Sequence, residues 1–308
     1  MEGRVIKSTG SWYYVTGPED QLWACKIKGK FRIQGIRTTN PVAVGDHVVF
    51  SPVDGNNREG LITELKPRRN YIIRRATKLS KESHIIAANI DQAVIMATIA
   101  HPKTYSLFID RFLVTAEAYE IPAKIIINKT DLYNDKQQDE LNELKNIYES
   151  IGYECLEISV KKKKNLDKVN NLFKDKISVI TGNSGVGKTT LINYLCPEAN
   201  LKVRNISNYH KSGQHTTTFA EMVKLPFGGA IVDTPGIKGF GLIDIDKEEI
   251  YHFFPEIFEA SQSCKFHNCT HVHEPGCAVK KAVANEKISN QRYQNYLKIY
   301  YDNQEKYR

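Results

Sequence analysis

GNSGVGKTTLIN, residues 182–193, fits the pattern G-x-x-x-x-G-K-[ST] at Gly182, Gly187, Lys188 and Thr189. The apolar run KISVITG leads into it and reads as a buried strand, and TTLINYL follows with helical spacing. This strand–loop–helix context is what phosphate binding requires. Glycines let backbone N–H groups turn inward around phosphate oxygens, and the helix N-terminus adds the positive end of its dipole. The candidate contacts are Gly182, Asn183, Ser184, Gly185, Val186, Gly187, Lys188, Thr189 and Thr190. Lys188 is suited to the β- and γ-phosphates, and the Thr189 hydroxyl to Mg²⁺.

Downstream, the strand-like AIVDTPG ends in Asp233-x-x-Gly236. An acid there can hold Mg²⁺ through water, and the Gly236 N–H can meet a γ-phosphate. Between the two motifs lies GQHTTTF, residues 213–219. A threonine in this stretch would complete the Mg²⁺ shell. Three in a row leave the register open, with Thr217 as the candidate.

Upstream, IIINKTDLYN (residues 125–134) sets Asn128, Lys129, Thr130 and Asp131 at the end of another buried strand. A carboxylate at Asp131 can accept from the N1–H and 2-amino groups of guanine, a pair that adenine lacks, so this element favours GTP over ATP. A second base-reading loop is expected at EISVK, residues 157–161, with Ser159 near the guanine. The usual loop has Ala after that Ser, where Val160 stands here. The order along the chain is therefore base loops first and phosphate loop afterwards, the reverse of an ordinary GTPase. Moving the two base-reading strands to the front preserves every spatial neighbour if the old ends are joined, and KNLDKVNNLFKD (residues 164–175) can join them as a helix. The sequence thus reads as a circular permutation, which nearby domain ends tolerate. The C-terminal domain would then hang from the switch around Asp233 and Gly236, and hydrolysis would move it.

The expected fold is multidomain α/β in three pieces. Residues 1–75 contain several short strand-like segments with alternating patterns, such as Trp23, Cys25 and Ile27 against Leu22, Ala24 and Lys26. They suggest an OB-like β-barrel, with an SH3-like barrel as rival. A basic linker, PRRNYIIRRA, leads out of it. Residues 76–240 alternate apolar runs with helical segments and predict a mainly parallel sheet. Residues 241–308 predict a small, mostly helical domain. The 308-residue chain carries a net charge of +8. Residues 1–75 hold 13 Lys+Arg against 7 Asp+Glu, a difference of +6, which points to a polyanionic partner such as RNA. Arg68, Arg69, Arg74 and Arg75 are expected to contribute. The lysine run 161–164 reads as a solvated loop. Neither a signal peptide nor a membrane-spanning run is recognisable, so a cytoplasmic, monomeric protein is expected.

Of six cysteines, three cluster in CKFHNCTHVHEPGC, residues 264–277. Cys264, Cys269 and Cys277 with one histidine would make a closed, tetrahedral, structural zinc site. His271 is a candidate fourth ligand, with His267 and His273 as rivals.

The permuted order, GNSGVGKTTLIN, GQHTTT, DTPG and C-x4-C-x-H-x5-C together resemble the ribosome small subunit-dependent GTPase A family over essentially the whole chain. The resemblance implies an OB-fold, a permuted GTPase and a zinc domain with His271 as ligand. It also implies GTP hydrolysis to GDP during late maturation of the small ribosomal subunit, stimulated by that subunit and its rRNA. The family commonly has Arg before the His-Thr-Thr-Thr run, where Gln214 stands here. Ras-like enzymes orient water with a Gln after D-x-x-G. Here Ile237 occupies that position, and the resemblance supports His215 instead. A nucleotide-gated RNA-binding module with incidental hydrolysis is the alternative. An ATPase transporter subunit is disfavoured by residues 128–131 and by the lack of an ABC-type signature.

Overall fold

The computed structural model describes residues 1–27, 41–53, 58–75, 83–199, 221–233 and 245–305. Five strands open the chain: β1 (Glu2–Ser8), β2 (Tyr13–Thr16), β3 (Leu22–Ile27), β4 (His47–Pro52) and β5 (Glu59–Leu65). Their order is β1-β2-β3-β5-β4, and β4 pairs back onto β1, closing a barrel. The β3–β5 pair is parallel and the other barrel pairs are antiparallel. Closure removes the free edges that a small sheet would otherwise expose. The inward set of each strand fills the centre, with Val5, Val15, Cys25, Val48, Phe50 and Ile62 fully buried and Trp23 and Ile27 packed against them. The alternation in residues 22–27 thus appears as an inner and an outer face.

Where the sequence suggested a basic linker, the chain forms a paired strand. β6 (Tyr71–Arg75) pairs antiparallel with β7 (Ser83–Ala88) as a separate two-stranded sheet. Ile72 and Ala87 enter the core of the next domain, so apolar burial overrides the linker reading of this arginine-rich stretch.

The central sheet uses β8 (Gln92–Ala97), β9 (Ala123–Ile127), β10 (Glu154–Glu157), β11 (Ile177–Thr181), β12 (Glu221–Lys224) and β13 (Ala230–Asp233). The order is β10-β9-β8-β11-β13-β12, parallel except for β12. β8 and β11 are buried along their whole length, as strands covered on both faces must be. Successive residues of β8 serve the two faces in turn. Ala93, Ile95 and Ala97 pack with α1 (Ser106–Ala118) and α2 (Asp135–Glu149). Val94 and Met96 pack with α3 (Leu166–Phe173) and α4 (Lys188–Leu195). The strand before the phosphate loop, β11, lies in the middle of the sheet although it follows β8, β9 and β10 in sequence. α3 is the connection from edge strand β10 to central β11 that the permutation requires.

β12 also meets β1 at the pair Lys7↔Glu221, where the side chains form a 3.0 Å ion pair, so barrel and central sheet are continuous. The C-terminal part contains a 3-10 segment (Lys247–Phe253), α5 (Pro255–Ser261), α6 (Ala278–Ala284) and α7 (Asn290–Glu305). Its apolar core includes Val114 of α1. It is therefore docked on the nucleotide domain over a helix face, and is not merely suspended from the segment after β13. Among the described residues no helix is long and apolar enough to cross a membrane.

Candidate nucleotide site and metal centre

The candidate loops gather at the carboxyl ends of the parallel strands, where ligands of open α/β sheets bind. After β11 the chain turns through Gly182 (φ 147°), Gly185 (φ 82°) and Gly187 (φ 105°) into α4. Two of these glycines are required by space as well as by backbone angle. A Cβ on Gly182 would lie 2.2 Å from the Met96 carbonyl oxygen, and one on Gly187 would lie 2.5 Å from Asn128 Nδ2. Lys188 Nζ folds over the loop and donates to the carbonyls of Gly182 and Asn183, the latter at 2.9 Å. Val186 is buried, Thr189 is half-buried, and Ser184 and Thr190 are exposed.

After β9, Asn128 is buried and its side chain ties two loops together. Nδ2 donates to the Val186 carbonyl at 2.9 Å, and Oδ1 accepts from the Val160 N–H at 3.1 Å. Thr130 Oγ1 donates to the Ile158 carbonyl at 3.0 Å. The Ser159 hydroxyl donates to Asp131 Oδ1 at 2.5 Å and accepts from the Lys162 N–H at 3.0 Å. Val160, where Ala is usual, is buried beside these contacts and leaves Ser159 in reach of Asp131. Lys129 takes a left-handed conformation (φ 66°) and donates to the His101 carbonyl. Burial lowers its pKa, with the Asp131 charge acting in the opposite sense.

One contributor escaped the sequence reading. The Tyr133 hydroxyl donates to the Asn128 carbonyl at 2.5 Å and accepts from the Ile99 N–H at 2.9 Å, bridging the ends of β8 and β9. Burial pushes its pKa up to about 12, so the hydroxyl keeps its proton. Nothing in the spacing of residues 125–134 marks this tyrosine. His215, Thr217 and Gly236 lie outside the described residues. Asp233 is the last residue of β13, so the backbone brings it to the same end of the sheet as the phosphate loop.

In the C-terminal part, Cys264, Cys269, His271 and Cys277 converge with their ligand atoms within 4.8 Å of one another. His271 Nδ1 lies 3.6 Å from Cys264 Sγ and 3.5 Å from Cys277 Sγ, and those two sulfurs are 3.8 Å apart. A tetrahedral zinc site with Zn–S near ~2.3 Å and Zn–N near ~2.0 Å has ligand–ligand edges of about 3.8 and about 3.5 Å. The donor set and its edges therefore fit a metal ion. His267 and His273 are exposed and stand outside the group. Burial lowers the pKa of His271, leaving the neutral imidazole that ligation needs. Glu274, also unmarked in the sequence, holds the ligand loop. Its carboxylate accepts from the Thr270 hydroxyl and from the N–H groups of Thr270, Val272 and His273 at 2.7–3.1 Å. Burial pushes its pKa up, but these hydrogen bonds outweigh burial and bring it to about 2.

The arginine expectation changes at Arg68, while the Arg69 side chain is 61% exposed and the side chains of Arg74 and Arg75 lie outside the described residues. Arg68 is buried, not available to a polyanion: its side chain is 7% exposed and forks onto Asp46 with two 2.6 Å hydrogen bonds. Arg69 bonds Asp91 at 2.7 Å and the Ile90 carbonyl at 2.9 Å. Both arginines bind carboxylates in the connection between barrel and central sheet.

Comparison with known proteins agrees with this architecture. Residues 65–243 match the model of the RsgA GTPase family, and residues 2–62 match that of the RsgA N-terminal domain. A protein of Phocaeicola vulgatus named small ribosomal subunit biogenesis GTPase RsgA is 52% identical, with 100% of this chain and 99% of that one covered. A protein of the same name from Christiangramia forsetii is 52% identical, with coverage of 100% and 98%. Among solved structures, YjeQ of Thermotoga maritima aligns with a TM-score of 0.80 at 35% identity, covering 98% of this chain and 97% of that one. YloQ, described as a circularly permuted GTPase, aligns with a TM-score of 0.75 at 34% identity, covering 98% and 94%.

Proposed function

We propose, from the premise that this chain belongs to the RsgA GTPase family, that it hydrolyses GTP in late maturation of the small ribosomal subunit and is stimulated by that subunit. The observation that supports the guanine reading is the 2.5 Å Ser159–Asp131 contact, which orients the carboxylate proposed to read the base. The relatives' printed names supply the subunit.

In this reading the N–H groups of residues 182–190 cradle the phosphates, and Lys188 exchanges its carbonyl partners for phosphate oxygens. Asp131 reads the base, while Asn128 and Ser159 hold the base loops. Mg²⁺ would be held by Thr189 and Thr217, and by Asp233 through water, and would neutralise charge on the β- and γ-phosphates. The Gly236 N–H would meet the γ-phosphate. His215 would orient the attacking water, because Ile237 offers no hydrogen bond. The metal of the Cys3His group is zinc, and it is structural because four protein ligands leave no open position. The division of labour is 1–75 for subunit RNA, 76–240 for nucleotide and 241–308 for the metal-stabilised domain, in a cytoplasmic monomer.

The test is GTP turnover with and without purified small subunits. A rise of at least tenfold with subunits is expected. Equal turnover in both, with nucleotide-dependent RNA binding, would favour the RNA-binding module instead.

A further inference from the structure

The four lysines at positions 161–164 follow directly on the second base loop, and all four side chains are exposed. Among the described residues no carboxylate is ion-paired with them, and Glu154 and Glu157 of β10 are paired with Lys124 and Lys145. The turn itself is closed by backbone hydrogen bonds, two of them long at 3.3 Å. Ser159 and Lys164 exchange backbone hydrogen bonds at 3.0 and 3.3 Å, and the Lys163 N–H donates to the Val160 carbonyl at 3.3 Å. Asn165 Nδ2 closes it onto the Glu157 carbonyl at 2.9 Å. Lys163 has φ 55°, a left-handed conformation that disfavours side chains and suits glycine. A lysine is thus held outward at a position where glycine would be easier.

The inner side of the same turn grips the base-reading groups. The Lys162 N–H holds the Ser159 hydroxyl, which holds Asp131, and the Val160 N–H holds Asn128. We propose that the turn at residues 161–164 is a contact site for an RNA phosphate backbone, and that contact there tightens guanine-nucleotide binding by immobilising the second base loop. RNA is favoured over an acidic protein because the flanking apolar residues, Val160 and Leu166, are buried and offer no hydrophobic anchor, whereas phosphate contacts need charge alone. The inference rests on the proposed function only in taking RNA as the polyanion. Linkage makes the effect reciprocal: nucleotide must strengthen RNA binding by the same factor.

The experiment uses the full chain, a fluorescent GDP analogue and a labelled structured RNA free of ribosomal protein. Lys161→Gln, Lys162→Gln, Lys163→Gln and Lys164→Gln are combined, and metal content and nucleotide binding without RNA report on folding. The slope of log affinity against log salt should flatten by about three to three and a half, at roughly 0.7–0.9 for each of the four phosphate contacts. RNA should slow GDP-analogue release at least threefold in the wild type and not in the variant. Lys163→Gly is the second variant, which relaxes the backbone while removing one charge. It should keep the wild-type melting temperature and lose about one unit or less of slope. An unchanged slope in the quadruple variant would overturn the contact, and equal release rates with and without RNA in the wild type would overturn the coupling. Polyglutamate binding that alone depends on these lysines would overturn RNA as the partner. Lack of subunit-stimulated turnover would count against the proposed function while leaving the naked-RNA result standing.

Discussion

Asp131 has its carboxylate oriented by the Ser159 hydroxyl, and its proposed base-reading role makes the nucleotide preference exchangeable by changing the group it presents. Asp131→Asn should weaken GTP binding at least tenfold, about 1.4 kcal/mol, and gain xanthosine triphosphate, since an amide can donate to the 2-carbonyl. Competition binding with both nucleotides checks this, and equal wild-type affinity for ATP and GTP would sink the base-loop assignment. At His215, the expectation follows from Ile237 being unable to orient water. His215→Ala should leave GTP affinity nearly unchanged, because the phosphate and base loops do not use it. Subunit-stimulated turnover should fall at least tenfold, about 1.4 kcal/mol of barrier. Intact stimulated turnover would transfer the water-positioning role to another residue or to rRNA.

The loop at residues 264–277 is an element organised by its ligands and by Glu274, with few apolar contacts of its own beyond the buried Cys269 and Cys277. Burial pushes the metal-free Cys269 thiol up from its ordinary value, so metal binding must expel its proton, and loop folding is linked to metal uptake. The wild type should hold one zinc per chain. Cys269→Ser should lose it and destabilise the C-terminal helices, as read by metal analysis and thermal melting. Full zinc retention would remove Cys269 from the ligand set. Glu274→Gln should keep zinc but surrender it faster to a chelator, because the backbone N–H groups at 270, 272 and 273 lose a charged acceptor.

Across the whole molecule, the C-terminal domain is locked to the nucleotide domain by a buried polar network. Arg292 is 1% exposed and binds Asp110 at 2.7 Å and Glu256 at 2.7 and 3.0 Å. Tyr148 and Asn295 also donate to Asp110, at 2.7 and 2.6 Å. Burial opposes the charge on Arg292, but the two carboxylates outweigh it and hold its pKa above the ordinary value. Removing the guanidinium leaves Asp110 and Glu256 without their counter-charge. Arg292→Ala should therefore cost about 3–5 kcal/mol. Denaturant melts should show the C-terminal helices separating from the nucleotide domain, with the zinc still bound. An unchanged melt would mean that apolar packing around Val114, Phe254 and Tyr296 carries the docking alone. Any nucleotide-driven movement of this domain must break or carry along α1, a constraint absent from the picture of a domain hanging from the switch.

The candidate loops could be picked out in the sequence because their requirements are local. A phosphate cradle needs glycines at fixed spacing, and a metal site needs its thiolates close along the chain. Strand and helix identities at α1–α4 followed from apolar periodicity for the same reason. Even the permutation could be read, since the order of motifs is itself a sequence property. Tyr133, Glu274 and Arg292 were not legible, because each acts through groups that its own stretch does not reveal: the Ile99 N–H, a ring of backbone donors, and an aspartate 182 positions away. Arg68, read as an RNA contact, shows the same limit. Charge is visible in a sequence, but whether a carboxylate such as Asp46 meets it in the interior depends on closure of the barrel against the next domain. The sequence by itself determined which reacting groups exist and in what order. Tertiary structure alone decided which charges are buried and paired, because desolvation and counter-charge are properties of the packed environment and not of residue order.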